Sequence, residues 1–109
     1  MDPSTRLVLP MTAAFGDSGL HLGGCAVADL AGRYGTPLYI YDAATMNAAA
    51  ATYSNALRES YPGDWQGAYA GQAWPSTATA RLADAQGLGL GGGSGGELAI
   101  PLRAGFPRR

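Results

Sequence analysis

Three stretches of the sequence combine residue types and spacings that chemistry could use. Gly87, Gly89 and Gly92 satisfy a G-x-G-x-x-G spacing ahead of a helix-like segment, an arrangement that can present backbone N–H groups to a phosphate. The stretch is so rich in Gly that it fits many patterns, and it lacks a firm preceding strand, so a flexible or degraded strand is the simpler reading. Gln72 stands near the end of the apolar run GAYAGQAW (Gly67–Trp74), which places an amide at the mouth of a strand. His21 and Cys25 are the sole histidine and cysteine. His21 reads as a solvated turn residue. Cys25, at the start of a helix, could have a lowered thiol pKa, but a small apolar packing residue is the simpler role. Asp42 reads as a helix cap, and Ser94 with Glu97 as a capping box. Tyr34, Tyr39, Tyr41 and Tyr53 are expected in the core or at its rim. No Ser-His-Asp set, no paired carboxylates and no metal-ligand set can be assembled, so the residues alone assign no catalytic group.

The elements that would position these residues must come from a short chain. A length of 109 residues favours one small domain. The hydrophobic share of 47% is ordinary, but much of it is Ala, which buries little area. A core of that kind should be marginal on its own. The formal charge of −1, with charges scattered singly, offers neither a basic stripe for nucleic acid nor a cationic amphipathic helix for a membrane surface. No signal peptide or transmembrane span is read, and cytoplasm is the default compartment. All seven basic residues are Arg, so the chain contains no Lys.

Residues 1–24 read as an irregular N-terminal segment, with HLGG (His21–Gly24) as a turn. From Cys25 onward the periodicity is helical. Val27, Leu30, Ala31 and Tyr34 fall on one face, with Gly35 at the C-cap. PLYIYD then predicts a strand near Leu38–Tyr41. A second helix is expected near Ala43–Glu59, with a stripe of Met46, Ala49, Tyr53 and Leu57. A strand near Gln66–Gly71 follows, parallel to the first. The next helix, near Ser76–Gln86, has Pro75 at its first position and an inner face of Ala78, Leu82 and Ala85. LGL is a brief strand-like piece. A last helix carries Leu98 and Leu102, with Pro101 expected to kink or fray it. Strands alternating with helices imply an α/β fold of two to three parallel βα units over residues 25–109. A closed (β/α)8 barrel needs about 250 residues, so the chain is either a small open fold or a piece of something larger.

Taken in order, HLGGCAVADLAGRYGTPLYIYD, AYAGQAW, ARLADAQGLGL and SGGELAIPLRAGFP closely resemble the N-terminal quarter of bacterial diaminopimelate decarboxylase. That enzyme belongs to the fold-type III pyridoxal phosphate decarboxylases, with ornithine and arginine decarboxylases as neighbouring branches. The resemblance runs from about His21 to Pro107. It implies an incomplete (β/α)8 barrel of the alanine racemase-like kind, pyridoxal phosphate as the family cofactor, and decarboxylation of meso-diaminopimelate to L-lysine as the family reaction. It also implies that the family's Schiff-base Lys corresponds to Gln72. A Schiff base needs a primary amine; an amide nitrogen is delocalised into its carbonyl and cannot form one. By the same resemblance, an Asp followed by two apolar residues corresponds to Gly91, Gly92 and Gly93. The family's later phosphate loop and substrate-binding residues would lie past RAGFP.

The expectation is therefore a decarboxylase-like N-terminal portion that is inactive alone and forms no covalent bond to the cofactor. Three explanations stay open: a truncated or degenerating product, a regulatory or complementing partner of an intact decarboxylase subunit or of the missing barrel remainder, and an independent phosphate-binding module.

Overall fold

The computed structural model describes residues 3–107. The chain divides into two compact units, one ending at Ala48 and the other beginning at Ala49. Both mix helix with small sheets.

The first unit opens with one turn of helix, α1 (Pro3–Arg6). An antiparallel meander of β1 (Ala14–Gly16), β2 (Gly19–Leu22) and β3 (Cys25–Ala26) follows. Phe15 lies opposite Leu20, and Leu22 opposite Cys25. Residues 1–24, expected to be irregular, thus carry β1 and β2. His21 and Leu22 belong to β2, and the turn is confined to Gly23–Gly24. Thr12 Oγ1 accepts a hydrogen bond from the Gly23 N–H at 2.9 Å. Helix α2 (Val27–Tyr34) forms where the apolar period placed it, with Val27, Leu30 and Ala31 half-buried. Gly35 closes it at φ +83°, a conformation that strains a residue carrying a Cβ, and donates its N–H to Ala31 O at 2.8 Å.

The strand expected at Leu38–Tyr41 does not form. Leu38 and Ile40 are half-buried while Tyr39 and Tyr41 are exposed, so the period of two is present. No strand pairs with the segment among the described residues, however, and β propensity without a ladder partner does not make a sheet.

Helix α3 (Ala43–Ser60) spans the boundary between the units. Its buried residues are Ala50 and Ser54, with Met46 and Leu57 half-buried, whereas Ala49 and Tyr53 are exposed. The inner stripe therefore keeps Met46 and Leu57 from the expected set and replaces its middle members with smaller residues.

The second unit continues with β4 (Ala68–Ala70), a 3-10 turn at Gly71–Ala73, α4 (Thr77–Ala85), β5 (Gly89–Gly91) and α5 (Gly95–Arg103). Strands β4 and β5 pair in parallel, with Ala68 opposite Gly89 and Ala70 opposite Gly91. Parallel neighbours need a crossover, and α4 supplies it. The parallel pairing expected between Leu38–Tyr41 and Gln66–Gly71 is thus found one strand later, between β4 and β5.

Helices α4 and α5 are both set by side-chain caps. Ser76 is the N-cap of α4: its Oγ accepts from Thr79 N–H at 3.1 Å, and Thr79 Oγ1 accepts from Ser76 N–H at 3.1 Å. Pro75 consequently lies outside the helix rather than at its first position. The buried face is Thr79, Ala80 and Ala83; Ala78 and Ala85, expected inside, are exposed. Thr79 can be buried because its hydroxyl is fully occupied, also donating to Trp74 O at 2.8 Å. Helix α5 runs through Pro101, which is buried, to Arg103. Leu98 and Leu102 are exposed.

Apart from Pro101, the buried apolar residues are Ala50, Ala80 and Ala83, and no large side chain is fully buried among the described residues. No described helix is long and apolar enough to cross a membrane.

Candidate functional site

The parallel pairing of β4 with β5 brings two loops to the same end of the sheet. Ala70 and Gly91 are register partners, so the Gly71–Ala73 turn and the Gly92–Ser94 loop leave the strands side by side. In open α/β sheets this carboxyl end is where ligands bind. Gln72 is exposed at the centre of the turn, beyond the last residue of β4 rather than on the strand itself. The reason for the early ending lies next to it. A Cβ on Gly71 would stand 2.7 Å from Gly91 O and 3.5 Å from Leu90 Cδ2, so the turn packs directly against the backbone of β5.

The loop after β5 satisfies its own donors. Ser94 is the N-cap of α5, and its Oγ accepts from Glu97 N–H at 3.2 Å. The Glu97 carboxylate accepts from the Gly93 N–H, one residue earlier than the Ser94 N–H a capping box would use. A carboxylate of the chain thus occupies the place at this helix N-terminus that a phosphate would take. The three glycines of the G-x-G-x-x-G spacing fall in three different settings. Gly87 sits at the end of α4 with φ +71°, Gly89 lies within β5, and Gly92 packs against Glu97.

The other candidate residues lie elsewhere, in the first unit. His21 Nδ1 is 3.0 Å from Gly19 O and Nε2 is 3.2 Å from Ser18 Oγ. A carbonyl can only accept, which puts the proton of the neutral ring on Nδ1 and makes Nε2 the acceptor of the Ser18 hydroxyl. His21 thereby ties the β1–β2 turn together. Cys25 is exposed on β3, not an apolar packing residue at a helix start. Tyr34, Tyr39, Tyr41 and Tyr53, expected in the core or rim, are all exposed, because alanines fill the small interior instead. The Arg33 guanidinium lies 5.2 Å from the Tyr34 ring centroid.

Asp42 does cap a helix. Its Oδ2 accepts from Thr45 N–H at 3.0 Å and from the Thr45 hydroxyl, and its backbone O accepts from Met46 N–H at 3.1 Å. The Thr45 hydroxyl first, opposed by partial loss of hydration and helped by the Thr12 hydroxyl and the Thr45 N–H, holds the carboxyl below the usual Asp value. Thr45 Oγ1 also accepts from Met11 N–H at 2.9 Å, so the cap fastens the segment before β1 to the start of α3.

The Ser76–Thr79 pair escaped the sequence reading although S-x-x-T is written in it, because Pro75 offered an apparently sufficient helix start. Among the described residues no group of three His, Cys, Asp or Glu side chains could hold a metal ion.

No family model matches the chain. Individual proteins do. The chain is 42% identical over 98 residues to the diaminopimelate decarboxylase of Synechocystis sp., covering 89% of this chain and 21% of that protein. It is 43% identical over 88 residues to the diaminopimelate decarboxylases of Bacillus methanolicus and Bacillus subtilis, in each case over 81% of this chain and 20% of the relative. The chain therefore spans about a fifth of the length of the curated relatives it matches.

Proposed function

From the chain's kinship with the diaminopimelate decarboxylases, whose N-terminal part it resembles, we propose that it forms the opening βα units of a decarboxylase-type (β/α)8 barrel. In this reading it serves as scaffold for the pyridoxal phosphate-dependent conversion of meso-diaminopimelate to L-lysine, and carries no catalytic group of its own. The observation that carries the reading is the extent of the match, which covers 89% of the chain in the Synechocystis comparison. The parallel β4–α4–β5–α5 order supports it, since it supplies the first repeating units such a barrel needs. The compartment that goes with this function is the cytoplasm.

The residues present do not fit covalent attachment of the cofactor. Gln72 takes the position of the family's Schiff-base Lys, and its amide nitrogen cannot condense with an aldehyde. The chain contains no Lys to replace it. At the neighbouring loop the Gly93 N–H already serves Glu97. The chain in isolation is accordingly inactive and acts by complementing the remainder of a barrel.

The test restores the amine. Gln72→Lys, treated with pyridoxal phosphate and then borohydride, should give a reduced covalent adduct mapped by mass spectrometry to position 72, without release of carbon dioxide from meso-diaminopimelate. Asn55→Lys, on the exposed side of α3, measures the background reactivity of a surface lysine. Equal labelling of the two variants would remove Gln72 from the cofactor position.

A further inference from the structure

The Asp42 carboxylate is linked to both ends of the β1–β2 hairpin. Met11 and Thr12 lie shortly before β1, and Gly23 follows β2 directly. The Met11 N–H donates to Thr45 Oγ1 at 2.9 Å, and the Gly23 N–H donates to Thr12 Oγ1 at 2.9 Å. Both hydroxyls turn on Asp42: that of Thr45 donates to Oδ2, and that of Thr12 also reaches the carboxylate. The Thr45 N–H completes the set at 3.0 Å. A Cβ on Gly23 would stand 3.6 Å from Asp42 Oδ1, which puts the β2–β3 turn beside the same group. A hydroxyl has a single proton, so donating it to the carboxylate leaves only lone pairs for the incoming N–H. The carboxylate therefore sets the direction of both relays. Little apolar burial competes with them. Every residue of β1 is exposed, none of β2 is fully buried, and β1 has no second neighbour in its sheet among the described residues. A two-stranded hairpin with so little cover is marginal in water.

We infer that Asp42 is a charge-operated latch for this hairpin: its ionised carboxylate holds both hairpin ends against the first turn of α3 through the Thr45 and Thr12 hydroxyls, and its protonation releases them. A neutral carboxyl carries a proton where the ionised group offers a lone pair. The bonds that remain also lose their charge assistance, which about halves their strength. Both arms weaken together, because one group aligns both hydroxyls. The elements packed on the carboxylate bring no second charge. The segment at 11–12, the Gly23–Gly24 turn and the first turn of α3 contribute Thr12, backbone and Thr45. The titratable side chains flanking them are His21, Cys25 and Tyr41. His21 is taken up by Gly19 O and Ser18 Oγ, and Cys25 and Tyr41 are exposed. None of the three acts on Asp42, which is held acidic by the Thr45 hydroxyl first, against some loss of hydration, and then by the Thr12 hydroxyl and the Thr45 N–H. The latch is therefore closed above the ordinary Asp range and opens as pH falls through the lower folded value. It lies wholly within the first unit and does not depend on the scaffold reading.

The test follows the full isotopically labelled chain by NMR from neutral pH into acid. It reads the Asp42 carboxyl carbon shift together with amide protection, corrected for the intrinsic pH dependence of exchange. The Met11 and Gly23 amides should lose protection by about fivefold or more, with one shared midpoint that coincides with titration of the Asp42 carboxyl. The Gly35 N–H, bonded to Ala31 O at the end of α2, should keep its protection through that step. Asp42→Asn should show the open level at both amides already at neutral pH, with no further step in acid. Thr12→Val should free Gly23 alone and leave Met11 to open with Asp42. Should Asp42→Asn fail to fold, the parent titration and Thr12→Val still decide the matter. Separate midpoints for Met11 and Gly23, or full protection of both in folded Asp42→Asn, overturn the latch. Loss of Gly35 protection in the same step overturns it in favour of general acid unfolding.

Discussion

Replacing Gly71 by Ala should destabilise the second unit, by an amount set by one close approach. The added Cβ would meet the Gly91 carbonyl oxygen at 2.7 Å, and that oxygen belongs to the β5 backbone, so no side chain can swing away to relieve it. Overfilling a packed site of this kind costs about 1–3 kcal/mol. Restricting the unfolded chain returns about 0.4–1 kcal/mol, so the net loss is about 1–2 kcal/mol. Gly67 provides a graded comparison, because a Cβ there would meet only Leu88 Cδ2, at 2.9 Å, and the end of a leucine can move. Gly95, the first residue of α5, has nothing within 4 Å of a built Cβ, and Ala there should stabilise by about 0.5 kcal/mol. Pulse proteolysis in urea suits a protein with so small a core. With a slope of about 1 kcal/mol/M, the Gly71→Ala midpoint should fall by about 1–2 M, Gly67→Ala should fall by less, and Gly95→Ala should rise. A Gly71→Ala midpoint equal to or above the parent would show that the turn does not press on β5, and the account of why β4 ends at Ala70 would fail with it.

The Ser76 cap should cost about 1 kcal/mol on change to Ala, read as a lower urea midpoint, while Ser76→Asp should retain most of it. Asp42 has a depressed folded pKa, so its contribution to the start of α3 is present above the ordinary Asp pKa and disappears as pH falls through the lower folded value. Acid titration of the Thr45 amide shift should reveal that loss, and Asp42→Asn should flatten it. Gly32 lies inside α2 with open space around it, and Gly32→Ala should raise helicity at the N-terminal end of the chain, checked by amide exchange in 27–34. With Leu7, Val8, Phe15 and Tyr39 among its exposed apolar residues, the isolated chain should bind a hydrophobic dye at neutral pH, and absence of dye binding would count against the scaffold reading.

Much of this arrangement is legible in the residues. Apolar spacing with a glycine stop defines α2, Asp42 marks the start of α3, and Ser94 the start of α5, because caps and periods are local and act through neighbouring backbone. The misreadings concern partners distant in sequence. Leu38–Tyr41 carries the composition and alternation of a strand and still has no ladder, since pairing depends on what lies beside it. The inner faces of α3 and α4 shift because alanines and hydroxyl-bearing residues, not the larger side chains, fit where these helices approach their neighbours. Gln72 could be singled out as conspicuous, but its placement in a 3-10 turn follows from the contact between Gly71 and Gly91, which nothing local announces.

An interior of three buried alanines also fixes how the protein responds to temperature. Heat capacity rises on unfolding chiefly because apolar surface meets water, at about 0.45 cal/mol/K per Å2, and alanines release little of it. The stability curve should therefore be shallow, with a broad melting transition and little difference between cold and warm conditions. Large apolar side chains are present in the chain, but Leu98 and Leu102 stay exposed when it folds and so add little to that curvature.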